Sequence, residues 1–202
     1  MKNIFYFILL VWTIFSCQPF DDYALEIEAD RIKKDSSFLI ADKSPLSAEQ
    51  IEVFQGLEYF PINKEYLVEA RLEFSKQGDV IQMRTSTDRL PNYKIFAYVY
   101  FTFKGEEHRL TAYQNVDHLK DSLYKDFLFL PFTDNNSTIS TYGGGRYIDF
   151  EIPHGKTFLL DFNKSYNPYC AYNHRWSCVI PPRENALSIA INAGEKKYSD
   201  IH

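Results

Sequence analysis

Cysteine is scarce in this chain: three residues in 202, at positions 17, 170 and 178. That excludes a small disulfide-dense scaffold. Glycine (8) and proline (9) are also few, which rules out collagenous and low-complexity architectures. Basic charge is not in excess. Lys and Arg total 22 against 27 Asp and Glu, a net charge of -5. A nucleic-acid binder needs a basic face to displace counterions, so nucleic acid is not an expected partner. No apolar run reaches the roughly 20 residues of a membrane-spanning helix. Gly-x-Ser-x-Gly, His-Glu-x-x-His and a phosphate-loop lysine are missing. No cofactor and no metal are therefore expected from motif. What the chain does have is aromatic side chains, 15 Tyr and 17 Phe. With 45% apolar and 24% charged residues, its balance is that of one ordered domain.

The opening residues set the expected address. Lys2 precedes residues 4–15, a twelve-residue stretch of apolar side chains and one Thr. That is the length of a signal-peptide core. Ile14-Phe15-Ser16-Cys17 then reads as a lipobox, in which the small Ser16 admits the peptidase and the Cys17 thiol takes the lipid. The expected organisation is a signal peptide over residues 1–16, a lipid-bearing Cys17 opening a tether over 17–22, and a single domain over 23–202. Acyl chains contribute ~0.8 kcal/mol per buried CH₂, so several of them anchor stably, and the lipid bilayer becomes a partner through Cys17. Gln18 carries no inner-membrane retention signal. The expected location is the cell envelope, at the outer membrane and facing the periplasm.

Periodicity predicts a helix over residues 23–39, with Leu25, Ile32 and Leu39 repeating at seven, Ile27, Arg31 and Phe38 on a neighbouring stripe, and Lys33 and Lys34 outward. Ser47-Ala48-Glu49-Gln50 has the spacing of a capping box and starts a short second helix. From Tyr66 the period becomes two. Strands are expected over 66–74, 80–85, 94–103, 108–114, 127–130, 147–152, 157–163 and 187–193. Gly78 turns the first strand back onto the second. No helices separate these strands, which excludes a doubly wound α/β fold. The fold class is mainly β: an antiparallel β-sandwich or partly closed barrel of about eight strands with one or two N-terminal helices.

Two segments promise chemistry. In the first, Asp134 is followed by Thr141-Tyr142-Gly143-Gly144-Gly145-Arg146. Consecutive glycines let backbone N–H groups converge on an anion, and Arg146 offers a bidentate clamp. Yet a strand, not a helix, follows the glycines, so a turn with Arg146 paired to Asp134 or Asp149 is the competing reading. Asp149 and Glu151 alternate with apolar residues and are expected on a solvated strand face. The second segment, residues 161–185, is rich in Asn, Pro and aromatics. It carries Cys170, Tyr172, Asn173, His174, Trp176 and Cys178. With Cys17 lipidated, Cys170 and Cys178 are an even pair and read as a disulfide in an oxidising envelope. The rivals are zinc, using Cys170, His174 and Cys178 with His154 or His108, and a nucleophilic cysteine with His174 as base. The glycine turn and the cysteine loop are expected to face one shared cleft bridged by Arg146.

Taken together these stretches resemble a family. Ser44-Pro45-Leu46, Phe54-Gln55-Gly56-Leu57, Tyr59-Phe60-Pro61, the segments 130–134, 141–147, 161–163 and 166–172, Pro181-Pro182, Glu184-Asn185 and Ala193-Gly194-Glu195-Lys196 are similar to the uncharacterised bacterial and archaeal proteins called domain of unknown function 1684. Val179 departs from the family's proline. The resemblance spans about residues 31–196 and implies no established activity, so it transfers no catalytic residue. The leading expectation is an envelope lipoprotein that binds a small polar or anionic ligand, with Arg146 as anion contact, Asp134, Thr141 and Asn173 around it, and Tyr142, Tyr172 and Trp176 as stacking walls. The alternatives are an enzyme using the Cys170/Cys178 loop or Asp134/Glu184, and a structural lipoprotein that docks an envelope protein through exposed aromatics.

Overall fold

Alternation of apolar and charged side chains makes Leu67–Phe74 a half-buried strand, β1, in a computed structural model that describes residues 22–198. The expected signal segment, Cys17 and the tether through Asp21 lie outside the described residues. Val68, Ala70 and Leu72 are buried, while Glu69, Arg71 and Glu73 face water. Six strands follow: β2 Val80–Gln82, β3 Asn92–Phe103, β4 Glu106–Asn115, β5 Phe127–Phe132, β6 Arg146–Glu151 and β7 Thr157–Asp161. All pair antiparallel in one seven-stranded sheet ordered β6-β5-β4-β3-β1-β7, with β2 on β3.

The sheet curls into a half-barrel, and the connectivity explains why. β6 and β7 lie at opposite ends of the strand order but are joined by residues 152–156 alone. A flat sheet would hold its edges about 24 Å apart, five spacings of ~4.8 Å. Six extended Cα steps reach at most about 22 Å. The edges must therefore approach. Phe150 and Phe158 stack across the gap with ring centroids 4.8 Å apart. Of the two expected architectures, the partly closed barrel forms.

Two strand expectations need correction. Residues 80–85 do not return along β1; β2 is three residues long and pairs with β3. The eighth expected strand, 187–193, is an irregular plug in the open side of the sheet. Leu187, Ile191 and Ala193 join the core of Val68, Val99, Phe101, Leu130, Ile148 and Leu160. The carbonyls of Ile191 and Ala193 accept from Arg146 rather than from a neighbouring strand.

A bulge in β3 shapes both faces of the sheet. The β3–β4 register slips between Ile95 and Ala97, so Ile95 pairs with Tyr113 and Ala97 with Ala112. An extra residue inverts the alternation. Ala97, Val99 and Phe101 line the core, whereas Tyr93 and Ile95 pack with Tyr113, Tyr147 and Val179 in a second cluster.

Helix α1, Asp22–Phe38, buries Ile27 and Phe38. The row at seven-residue spacing is not its core face: Leu25, Ile32 and Leu39 are 45%, 60% and 53% exposed. Polar side chains fix the helix instead. The Tyr23 hydroxyl donates to Asp161 at 3.0 Å, Arg31 donates to the Phe60 carbonyl at 3.1 Å, and Lys164 pairs with Glu26 at 2.8 Å. Lys34, expected outward, turns inward to pair with Glu195. Helix α2, Ala48–Val53, starts at the expected capping box of Ser47 and Gln50. Among the described residues no helix is long and apolar enough to cross a membrane.

Candidate functional site

Strand parity decides which side of β6 each residue serves. Arg146 and Ile148 point into the core and Tyr147 and Asp149 point away from it. The outward face of β4, β5 and β6 is not simply solvated. The loop through Pro168, Tyr169, Trp176 and Cys178 stands over it, with Lys34 of α1 and Arg89 of the β2–β3 loop at the side, and together they enclose a cleft of about 610 Å³. Aromatic rings dominate its walls: Tyr93, Phe127, Phe129, Tyr147, Tyr166 and Trp176 are among them.

Asp149 is the carboxylate of the cleft. Its side chain is exposed at the cleft mouth yet surrounded by protein elsewhere, and that desolvation raises its carboxyl above the usual range, against the hydrogen bond from Tyr166 first and then Lys34 and His118. The Tyr166 hydroxyl donates to it. Burial, and next the Asp149 charge, drive the Tyr166 phenol well up, so the hydroxyl keeps its proton. Lys34 Nζ lies 4.5 Å from the Tyr166 ring centroid. In the sequence Asp149 appeared as a strand residue on a solvated face and as one of two candidate partners of Arg146; Asp134 takes that partnership. Its outward parity is legible there; the loop that covers it is not.

The covering loop is stitched in place. Arg89 donates to the Ser177 hydroxyl at 3.1 Å and to the Ser177 carbonyl at 2.9 Å. Arg175 donates to the Ser44 carbonyl at 3.0 Å, and the Trp176 indole N–H donates to the Pro45 carbonyl at 3.2 Å. Trp176 thus satisfies its polar edge and leaves its rings to the cleft and to Tyr169, 5.1 Å away between centroids.

Cys170 and Cys178 close this loop side by side. Both are free thiols in the structure, and the Cys170 N–H reaches Cys178 Sγ at 3.0 Å. Donation from the Cys178 thiol, with weaker help from Tyr142 and Ser86, brings the Cys170 pKa down to about 7 against the cost of burial. Cys178 is pushed up for the reciprocal reason. His174 is exposed on the same loop. Among the described residues no group of three His, Cys, Asp or Glu is assembled to hold a metal, so neither His174, His154 nor His108 completes a zinc set with the two thiols.

The Gly-rich turn does meet the cysteine loop, since the Tyr142 hydroxyl sits 3.7 Å from Cys170 Sγ. The expected bridge by Arg146 across a shared cleft does not form. Arg146 is 1% exposed. It pairs with Asp134 at 3.0 Å and donates to the carbonyls of Ile191 at 2.9 Å, Ala193, and Glu195 at 3.2 Å. The parity of β6 aims it into the core. Gly145, at φ +87°, serves close packing, because a Cβ there would stand 2.6 Å from the Phe132 carbonyl oxygen. Thr141 is fully buried beside the turn. Tyr172 is buried and donates to Glu195 at 2.6 Å. Asn173 accepts from the Arg175 N–H at 3.0 Å within its own turn. Of the candidate residues singled out from sequence, Trp176 and Cys178 line the cleft. Asp134 and Glu184 are not partners: Asp134 holds Arg146, and Glu184 accepts from the Tyr113 hydroxyl at 2.9 Å.

Asn185, in the Glu184-Asn185 pair that is part of the family resemblance, has a structural role. β4 and β5 share a single paired position, Tyr113 with Phe129. Beyond it Pro131 has no N–H to donate. The fully buried Asn185 amide fills the gap, accepting from Thr111 N–H at 2.8 Å and donating to the carbonyls of Thr111 at 2.9 Å and Pro131 at 2.7 Å.

A curled antiparallel sheet thus carries a C-terminal plug held by a buried Arg–Asp pair, and an aromatic cleft under a cysteine loop. The chain belongs to the family described as protein of unknown function (DUF1684), whose model matches residues 52–196. The chain is also similar to the solution NMR structure of an uncharacterized protein of Haloarcula marismortui, with 34% identity, 87% of this chain and 94% of that one covered, and a TM-score of 0.68. No curated protein matches the chain.

Proposed function

We propose that the protein is an envelope lipoprotein, anchored at the outer membrane through acylated Cys17 and facing the periplasm, whose folded part binds a small polar ligand in the Asp149 cleft. The observation that carries the binding reading is a carboxylate with a raised pKa on the wall of an aromatic cleft of about 610 Å³. Small-molecule sites are largely apolar, with a few placed polar groups and volumes of roughly 300–1,000 Å³. The ligand this geometry favours has a flat apolar face for the Trp176, Phe129 and Tyr147 rings and a hydroxyl or amine that donates to Asp149. The anionic version of the reading loses the Arg146 contact, because that guanidinium is buried in the core and its two Nη groups bond there. In the mature envelope protein Cys170 and Cys178 would join as a disulfide that fixes the covering loop.

Thermal-shift screening of sugars, polyols and amines against the processed protein tests the binding reading. A hit should lose its shift in Asp149→Asn; hits whose shifts survive that change would refute the site. Palmitate labelling and fractionation of Cys17→Ala test the anchor, with unchanged labelling as the refuting result. A second reading, an enzyme, draws on the raised Asp149 carboxyl beside the Tyr166 hydroxyl and on Cys178 lining the same cleft.

A further inference from the structure

We infer that the outward face of α1 lies on the bilayer surface to which Cys17 tethers the chain, so that the domain is held in one orientation rather than swinging on its lipid. The inference rests on the lipidation proposed above. Leu25, Ile32 and Leu39 stand seven residues apart, and seven residues fall only about 20° short of two helical turns. Leu25 and Ile32 lie in one row along the helix and Leu39 continues it one residue past its end; they are 45%, 60% and 53% exposed, and the adjacent Ile40 is 48% exposed. Scattered exposed apolar residues need no explanation. A row running the length of a helix does, particularly when the opposite face of that helix is occupied.

That opposite face is fixed to the domain. Tyr23 binds Asp161, Arg31 binds the Phe60 carbonyl, Lys34 pairs with Glu195, and Lys164 pairs with Glu26 and Asp30. Ile27 and Phe38 are buried beneath it. The helix therefore cannot turn its row inward, and any surface that takes the row takes the whole domain in one pose.

The position of the lipid names the occupant. α1 begins at Asp22, five Cα steps after Cys17, which is at most about 18 Å of chain. The row starts three residues later. A lipid on Cys17 brings the helix to the interface, and tethering makes the second contact intramolecular, so a weakly apolar face is enough. Asp22 and Glu28 are exposed beside the row, against Lys33. That acidic flank suits a zwitterionic surface and not an anionic one.

The test uses the full chain, processed in a host that lipidates it and reconstituted in vesicles of phosphatidylethanolamine and phosphatidylcholine. A benzophenone amino acid replaces Ile32 in one sample and Lys33, one step around the helix, in another. Both positions are exposed, so folding is preserved and is checked by thermal melting. Lipid adducts at position 32 should exceed those at position 33 at least tenfold. Equal or absent adducts in protein that floats with the vesicles would overturn the orientation and leave the anchor intact. Protein that does not float would overturn the anchor and the orientation with it. As a second arm, Ile32→Asp should abolish the protection of residues 25–39 from amide exchange that vesicles give over detergent micelles; protection retained in that variant would also overturn the proposal.

Discussion

Arg146 and Asp134 form a buried ion pair at 3.0 Å, each side chain 1% exposed, beneath the glycine turn. Asp134 also accepts the Ile191 N–H at 2.9 Å, so the pair ties β6 to the C-terminal plug. Removing one partner of such a pair strands a buried charge, at a cost of about 3–5 kcal/mol. Asp134→Ala should lose stability on that scale in urea unfolding. Arg146→Lys keeps the charge but not the fork, and should be destabilised by a smaller amount while still binding any ligand of the cleft. A ligand lost from a stable Arg146→Lys protein would show that the arginine serves the site.

Asn185 acts as a substitute rung between β4 and β5. Asn185→Ala leaves the Thr111 N–H and the carbonyls of Thr111 and Pro131 without their partner. At ~1–3 kcal/mol for each buried group that stays unpaired, with relaxation reducing the sum, a loss of about 2–4 kcal/mol is expected. Denaturant melts measure it, and a change under 1 kcal/mol would contradict the role.

Asp149 predicts a pH signature. Its folded-state carboxyl is raised by desolvation, so the native state holds the proton more tightly than the unfolded chain. Stability should fall as pH rises from the ordinary carboxylate value through the raised one. Asp149→Asn removes that decline. The variant should match the parent at low pH and exceed it above the window. Parallel curves for the two proteins across the acid range would contradict the environment described for Asp149.

The cysteine pair makes a prediction for the reduced protein. With Cys170 brought down to about 7 mainly by its neighbour's thiol, thiolate absorbance should titrate with a midpoint near neutrality. Cys178→Ala should move that midpoint up toward an ordinary thiol, and an unchanged midpoint would contradict the pairing. Non-reducing peptide mapping of protein isolated from the envelope should find the two joined; two freely alkylatable thiols would count against the disulfide.

What could be read from the chain followed local rules. The period-two segments, the capping box at Ser47 and the absence of crossover helices led to a mainly β fold with N-terminal helices. The half-barrel curl depends on β6 and β7 being sheet edges joined by residues 152–156, which no local pattern encodes. Leu25, Ile32 and Leu39 misled because α1 is docked by Tyr23, Arg31 and Lys34, polar side chains whose partners lie far away in sequence. Residues 187–193 alternate like a strand, but among the described residues only Leu187 and Ile189 bond to backbone beyond β5, at Thr133 and Asn135, and the carbonyls of Ile191 and Ala193 meet Arg146 instead. The site was half legible. Trp176 was singled out from the loop, and the outward parity of Asp149 was correct. The bulge at β3 that builds the aromatic cluster under the cleft left no signal.

The cleft itself admits a direct optical test. The chain has two tryptophans, Trp12 and Trp176, and removal of the proposed signal segment would leave Trp176 alone, on the cleft wall. Titrating the processed protein with the strongest thermal-shift hit should change Trp176 fluorescence saturably, and Asp149→Asn should weaken the apparent affinity at least tenfold. Saturable binding with no change in Trp176 emission, or with equal affinity in Asp149→Asn, would contradict the assignment of this cleft as the binding site.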